Sequence, residues 1–221
     1  MNSWGDRIDS ATLALMDNRK VAPFSGRRPA LVAIDLYDLV YDGGPRPVRE
    51  LMEEYPSSCG EYAWKALPPT IELYEAARRS SVPVVHVTYD TRAETDGKVR
   101  PTNRQRMQPD RGLFKIKEEL SPVDDELVVY KKRASAFFGT PLPAFLNEMG
   151  ADSLFIVGES TSGCVRSSVV EAWSLGYPVA VVSDCVFDRS ELSHQVSLFD
   201  MHLKYATVIP VSTACDLMRN A

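Results

Sequence analysis

Six short runs of branched apolar residues, strung along the chain with helix-like segments between them, limit the fold more than any other feature. They are Ala30–Ile34, Pro83–Val87, Glu126–Tyr130, Ser153–Val157, Pro178–Val182 and Ala206–Pro210. None alternates cleanly between apolar and polar residues, so each predicts a strand buried on both faces. Such strands belong in a parallel sheet, and parallel neighbours need long crossovers, normally helices. The intervening segments supply them. Pro68–Ser80 carries Ile71, Tyr74, Glu75 and Arg78 at helical spacing. Pro141–Met149 follows Thr140, expected as the N-cap, with Pro141 at the first helical position. Cys164–Leu175 runs into Gly176, a suitable terminator. Glu191–Lys204 and Thr213–Arg219 complete the set. Right-handed crossovers then give a doubly wound α/β fold, a parallel sheet with helices on both faces.

The chain has 221 residues, 44% hydrophobic and 25% charged. That composition excludes disordered, collagen-like and disulfide-scaffold classes, and the length suits a single domain, 1–221, with its core over about 28–211. A net charge of −5 gives no global positive field, so neither nucleic acid nor an anionic membrane is an expected partner. The four cysteines, Cys59, Cys164, Cys185 and Cys215, form no C-x-x-C pair, which argues against a structural zinc site and suits a reducing compartment. Met1–Arg7 has no basic segment leading into an apolar one, and no apolar run approaches the roughly 20 residues of a bilayer span. A cytoplasmic location is expected.

Two long polar segments, Leu36–Leu67 and Tyr89–Leu113, read as loops. The second carries Arg92, Lys98, Arg100, Arg104, Arg106 and Arg111. It is open to three readings: a solvated surface, the rim of a site, or a subunit contact.

In an open α/β sheet, ligands bind beyond the carboxyl ends of the strands. The first strand ends at Asp35, the third beside Lys131. The fourth runs into Gly158-Glu-Ser-Thr-Ser-Gly163 and then Cys164, which is expected to open a helix. Each residue alone has an ordinary explanation: a turn acid, a solvated basic run with Lys132 and Arg133, a small packing residue. Together they make chemical sense. A helix N-terminus and a nearby ammonium both lower a thiol pKa, and a carboxylate can take the thiol proton and return it to a leaving amine. Backbone N–H groups entering the helix can stabilise an oxyanion. The same loop superficially matches a phosphate-binding G-x-x-x-x-G-K-[ST] motif, but Cys164 and Val165 stand where Lys and Ser/Thr are required. Leu36-Tyr-Asp-Leu39 stands where a dinucleotide fold needs its glycines.

The motifs Ala33-Ile-Asp35, Lys131-Lys-Arg-Ala-Ser-Ala-Phe-Phe-Gly-Thr-Pro-Leu142 and Gly158-Glu-Ser-Thr-Ser-Gly-Cys-Val165 resemble those of the isochorismatase-like cysteine hydrolases, from about Arg28 to Val211. The resemblance implies a three-layer fold around a six-stranded parallel sheet of order 3-2-1-4-5-6. It implies a catalytic triad of Asp35, Lys131 and Cys164. Lys131 is favoured over Lys132 because the family's lysine stands four positions before the Ser of its Ser-Ala-Phe motif, here Ser135. It implies a non-proline cis peptide at Glu159–Ser160, with the N–H groups of Ser160 and Cys164 as oxyanion donors. Homodimers or homotetramers are the implied assemblies, with no cofactor.

Two departures narrow the choice within the family. Nicotinamidases carry an Asp-x-His metal motif after the second strand, where this chain reads Thr88-Tyr-Asp-Thr-Arg92. No metal is therefore expected, and His86, His194 and His202 are read as core or surface residues. Isochorismate hydrolases lack the nucleophilic cysteine, so Cys164 favours covalent amide hydrolysis. Gly163-Cys-Val-Arg166, Asp188-Arg189 and Ser197-Leu-Phe-Asp200 resemble the N-carbamoylsarcosine amidohydrolase branch. That branch implies Arg189 as the clamp for a substrate carboxylate, against the alternative of a salt bridge to Asp184 or Asp188. Arg166 is read as structural or interfacial. The expected substrate is a small carboxylate bearing a linear amide. Maleamate amidase and biuret or ureidoacrylate hydrolase share the triad, and a non-catalytic binding module is the rival of a different class. Exhaustive chelation is expected to leave turnover unchanged, and loss of activity restored by zinc would show that the Thr88–Arg92 segment had been misread.

Overall fold

The computed structural model describes residues 8–17, 21–92 and 110–221. Its strands are β1 (Pro29–Ile34), β2 (Val84–Tyr89), β3 (Leu127–Lys131), β4 (Ser153–Glu159), β5 (Val179–Phe187) and β6 (Thr207–Ile209). They form one sheet of order β3-β2-β1-β4-β5-β6, parallel at every pairing. Both the count and the order match the sequence-based expectation. The chain winds outwards from β1 in two directions, so the edge between β1 and β4 is the switch point where such folds place their ligands.

The helices are α1 (Ser10–Asp17), α2 (Asp38–Tyr41), α3 (Val48–Leu51), α4 (Gly60–Arg79), α5 (Leu142–Glu148), α6 (Arg166–Ser174), α7 (Glu191–Lys204) and α8 (Val211–Arg219). Side chains from α2, α4 and α8 share one buried core with Leu31, Ala33, Phe155, Val157, Ala180 and Val182 of the sheet. Side chains from α5, α6 and α7 share a second core with Ala30, Val32, Ile34, Leu154 and Ile156. Consecutive strand residues thus feed opposite layers, and this is why the strand runs are apolar throughout. No helix among the described residues is long and apolar enough to cross a membrane.

Several expected boundaries move. Leu36–Leu67 is no loop: it holds α2, α3 and the first turns of α4, which begins at Gly60 rather than Pro68. Proline argued for a helix start at 68, but Pro68 and Pro69 lie inside the helix. The backbone acceptors they leave without a donor belong to half-buried Trp64 and exposed Lys65, where the penalty of a helical proline is smallest. Helix α5 starts one residue later than expected, with Pro141 in the cap position; the Thr140 hydroxyl still accepts from the Leu142 N–H, at 3.3 Å. Helix α8 starts at Val211 instead of Thr213. Strand β5 extends to Phe187, past a register shift against β4 between Ile156 and Gly158. Of the basic segment, Lys98, Arg100, Arg104 and Arg106 lie outside the described residues. Arg92 pairs with Asp90 at 2.9 Å and covers the Tyr130 ring at 3.8 Å.

Gly158 sits opposite Ile34 in the β1–β4 pairing, with φ at +114°. A Cβ added there would lie 1.9 Å from the Ile34 carbonyl oxygen. No side chain fits between the two strands that carry Asp35 and Cys164 onward. Gly158→Ala should cost about 3 kcal/mol or more, a fall in melting temperature of roughly 6–12 °C for a domain of this size. Thermal denaturation checks it, and an unchanged midpoint would mean that the strands do not approach as described.

Candidate active site

Asp35 follows β1 directly, with φ at +54°, a left-handed conformation that aspartate tolerates better than most residues. It is 1% exposed, and Lys131, the last residue of β3, is 3% exposed. Lys131 Nζ lies 2.6 Å from Asp35 Oδ2. The same ammonium donates to Cys164 Sγ at 3.3 Å. Asp35 Oδ1 is buried with no hydrogen-bond partner among the described residues. The three residues found at separate strand exits in the sequence therefore meet, with lysine at the centre and one carboxylate oxygen free. Lys132 instead turns towards Asp90, at 3.9 Å.

The turn carrying Cys164 differs from expectation. Cys164 does not open an α-helix; it lies within a single π turn, Thr161–Val165, and α6 begins at Arg166. The Ser160 carbonyl accepts from both Gly163 and Val165 N–H groups, which widens the turn. The Glu159–Ser160 peptide is cis, as the resemblance implied. Two side chains hydrogen-bond the backbone of the turn from outside. Asp188, just beyond β5, accepts from the Ser162 N–H at 2.9 Å and from its hydroxyl at 2.6 Å. Ser168, one turn along, donates to the Cys164 carbonyl at 2.7 Å and accepts from the Ala136 N–H at 2.9 Å. The second contact joins the loop that follows Lys131 to the helix that follows Cys164. Sequence reasoning missed both roles. Ser168 was detectable four residues after the cysteine, on the same helix face.

Electrostatics also correct the expectation. Burial pushes the Cys164 thiol well up, the Asp35 charge adds to this, and Lys131 only partly offsets them. The predicted depression counted the helix terminus and the ammonium; the actual sulfur also faces a carboxylate in a desolvated site. For Lys131, burial acts downwards, but Asp35 and Cys164 outweigh it and hold the ammonium above its usual range. The resting arrangement is a protonated thiol beside a lysinium–carboxylate pair.

Arg189 follows β5 at the same edge. Among the described residues it makes no ion pair, and its Nε is buried without a partner. The expected alternative partners are taken: Asp188 holds Ser162, and Asp184 accepts from the Val211 N–H at 2.8 Å. Arg166 pairs with Asp200 of α7, a structural role. The histidines have other partners: His86 pairs with Glu126 at 2.8 Å, His194 with the Thr161 hydroxyl of the turn at 2.8 Å, and His202 with the Val208 N–H at 3.1 Å.

Residues 29–213 match the isochorismatase domain model. The chain belongs to the isochorismatase family of hydrolases. It is 31% identical over 201 residues to maleamate amidohydrolase of Pseudomonas putida, covering 88% of this chain and 89% of that protein. It is also 31% identical over 195 residues to N-carbamoylsarcosine amidase of an Arthrobacter species, covering 83% and 68%. The crystal structure of N-carbamoylsarcosine amidase from Thermoplasma acidophilum superposes with a TM-score of 0.66 at 27% identity, covering 84% of this chain and 97% of that one.

The raised thiol gives a measurable pH signature. Only the thiolate is alkylated, so the iodoacetamide rate at Cys164 should still be climbing at about pH 10, where a thiol with the usual value of about 8.5 has levelled off. In Asp35→Asn the repelling charge is gone while Lys131 remains, so the profile should move to lower pH. A profile that moves upward in this variant would reverse the assignment of Asp35 as the group holding the proton on sulfur. Cys59, Cys185 and Cys215 are buried and should react after Cys164.

Proposed function

We propose that the protein is a cofactor-free cysteine amidohydrolase that releases ammonia from a linear amide of a small carboxylate, of the N-carbamoylsarcosine type. The observation that carries this reading is the Asp35–Lys131–Cys164 contact set with Asp35 Oδ1 left without a partner. A buried carboxylate oxygen beside a protonated thiol is a proton acceptor waiting for one step.

In that step Cys164 Sγ attacks the amide carbonyl while its proton passes to Asp35. Lys131 stays protonated and offsets the charge on sulfur and carboxylate. The carbonyl oxygen becomes an oxyanion, for which the N–H groups of Ser160 and Cys164 are the donors in reach of the turn. As the tetrahedral intermediate collapses, the C–N bond breaks and Asp35 delivers its proton to the leaving amine as ammonia. A thioester, or a thiocarbamate from a ureido substrate, remains on Cys164. Water then attacks, giving its proton to Asp35, and the C–S bond breaks. The acid product leaves, and the proton on Asp35 returns to sulfur. Arg189, with its unpaired Nε, holds the substrate carboxylate through a planar two-bond contact.

The maleamate reading uses the same machinery and is favoured by the 31% identity to maleamate amidohydrolase over most of both chains. Assembly into a homodimer or homotetramer belongs to the same proposal, and sedimentation at micromolar concentration tests it.

Ammonia release from N-carbamoyl amino acids, maleamate, biuret and ureidoacrylate is the direct assay. Cys164→Ala should abolish turnover, and Asp35→Asn should reduce kcat by about 100- to 10,000-fold. Full activity in Cys164→Ala would end the mechanism. Arg189→Ala should lower kcat/KM for acidic amides by about 10- to 100-fold, and Arg189→Lys by less, while Cys164 remains open to alkylation. Biuret as the best substrate, with Arg189→Ala silent, would move the function to neutral amides.

A further inference from the structure

Helix α7 packs against the π turn that carries Cys164: Leu198 of the helix and Val165 of the turn share a buried core. A side-chain hydrogen bond also joins the two. His194 Nδ1, on α7, lies 2.8 Å from Thr161 Oγ1. Thr161 is fully buried and opens the turn, three residues before Cys164. The peptide that links Ser160 to Thr161 carries the carbonyl that accepts from both the Gly163 and Val165 N–H groups. A hold on the Thr161 side chain therefore holds the acceptor on which the turn closes.

The surroundings of the hydroxyl set the direction of this bond. A neutral imidazole donates at one ring nitrogen and accepts at the other. Among the described residues, His194 is the hydrogen-bond partner of the Thr161 hydroxyl, and no second one stands beside it. If Nδ1 donated, the hydroxyl hydrogen would be buried without an acceptor, a costly arrangement. The economical state has Thr161 donating to Nδ1, with the ring hydrogen on Nε2. A proton added at Nδ1 reverses the bond and turns the hydroxyl hydrogen into closed surroundings. The Thr161 contact is therefore open to the neutral imidazole and closed to the imidazolium.

His194 is half-buried, not sealed, so a proton can reach it. Burial holds it below the ordinary histidine value of about 6.5, with Asp188 at the exit of β5 and Glu191 on its own helix acting upwards and Lys65 of α4 downwards. Asp188 is also the carboxylate that accepts from Ser162, so an imidazolium at 194 would act on a second anchor of the same turn. We propose that His194 is a positioning residue: neutral, it latches Thr161 and sets the turn that presents Cys164; protonated, it releases that latch. The assignment rests on the amidohydrolase reading above and adds a pH-dependent control of its nucleophile.

The experiment compares the native protein with His194→Asn, whose amide oxygen takes the place of Nδ1 and cannot ionise, and with His194→Leu, which has no acceptor. The chain has three histidines, so imidazole 1H–15N NMR resolves each, and the signal missing from His194→Asn is that of His194. The native ring should be the Nε2–H tautomer and titrate below about 6.5. Ammonia release from maleamate and N-carbamoylsarcosine is followed against pH. The acid limb of native kcat/KM should share the NMR midpoint, because kcat/KM reports the free protein. At about pH 8, His194→Asn should keep kcat within about fivefold of native, and its limb at that midpoint should vanish. His194→Leu should lower kcat by about 10- to 100-fold with KM within about threefold. Adding Thr161→Val to His194→Leu should recover most of that loss, since no hydroxyl is then left unpaired. A native Nδ1–H tautomer, an acid limb unmoved in His194→Asn, or a fully active His194→Leu overturns the latch. Equal losses in His194→Asn and His194→Leu reduce His194 to packing and overturn it too. If His194→Leu fails to fold, the tautomer and the His194→Asn profile decide alone. A native protein that releases ammonia from no amide overturns the amidohydrolase reading itself and this proposal with it.

Discussion

The buried ion pair between Lys131 and Asp35 is the constraint from which the rest of the site follows. Both side chains are almost fully removed from water, and an unpaired charge there would cost several kcal/mol. Strand order dictates which residue types can make the pair. β3 and β1 are separated by β2, and neighbouring strands lie about 4.8 Å apart. Only a long side chain on β3 reaches across β2 to the exit of β1, and among cations lysine brings a compact charge on a flexible stem. Its ammonium then meets the carboxylate at 2.6 Å and the sulfur at 3.3 Å from one position. Removing either charged partner leaves the other buried alone, at a cost of about 3–5 kcal/mol.

Charge balance explains why Cys164, the proposed nucleophile, rests as a thiol. With Asp35 and Lys131 ionised, the trio is neutral; ionising Cys164 as well would leave a net negative charge in a largely desolvated pocket. Burial and Asp35 therefore hold the proton on sulfur. In the proposed attack the proton moves to Asp35 as the sulfur forms its new bond, so no anion builds up on sulfur, and the positive charge left on Lys131 is offset by the oxyanion on the substrate. The free Oδ1 of Asp35 suits that transfer, since Oδ2 is already held by lysine. Reactivity in such a site depends on substrate being present, whereas a depressed thiol pKa would leave a thiolate open to alkylation and oxidation at all times.

Much of this was legible in the residues. Six apolar runs fixed the strands to within a few residues, and their lack of alternation gave a parallel sheet. Inspecting the strand exits then found Asp35, Lys131 and Cys164, because the fold class says where to look. Other features depended on tertiary context. The start of α4 was hidden by Pro68 and Pro69, whose usual meaning is overridden by the packing of Ala63, Ala66 and Leu67 into the core. The π turn was invisible because its register is set by Asp188 and Ser168, residues distant from Gly163 or anonymous in composition. The direction of the Cys164 shift failed for a related reason: local sequence shows the turn but not the depth of burial or the distance to Asp35.

Those outside contacts also account for how a nucleophile on a short, irregular turn can be held as firmly as one on a helix. Asp188 ties the front of the turn to the end of β5, and Ser168 ties its back to the loop leaving β3. The two anchors lie on opposite sides of β4 in the sheet order. A displacement of Cys164 towards either side is resisted by a hydrogen bond on the other. Positioning of this kind matters most when the base and the cation are themselves fixed, because misplacement of the reacting atom by about 1 Å can cost a hundredfold in rate. Asp35 and Lys131 are fixed by their own pairing, so in the proposed reaction the placement of Cys164 relies on Asp188 and Ser168, neither of which touches the sulfur through its side chain. Asp188 and Arg189 are consecutive, so the carboxylate that holds the turn and the guanidinium whose Nε lacks a partner among the described residues descend from the same strand exit. The extension of β5 to Phe187 puts both at the sheet edge at once.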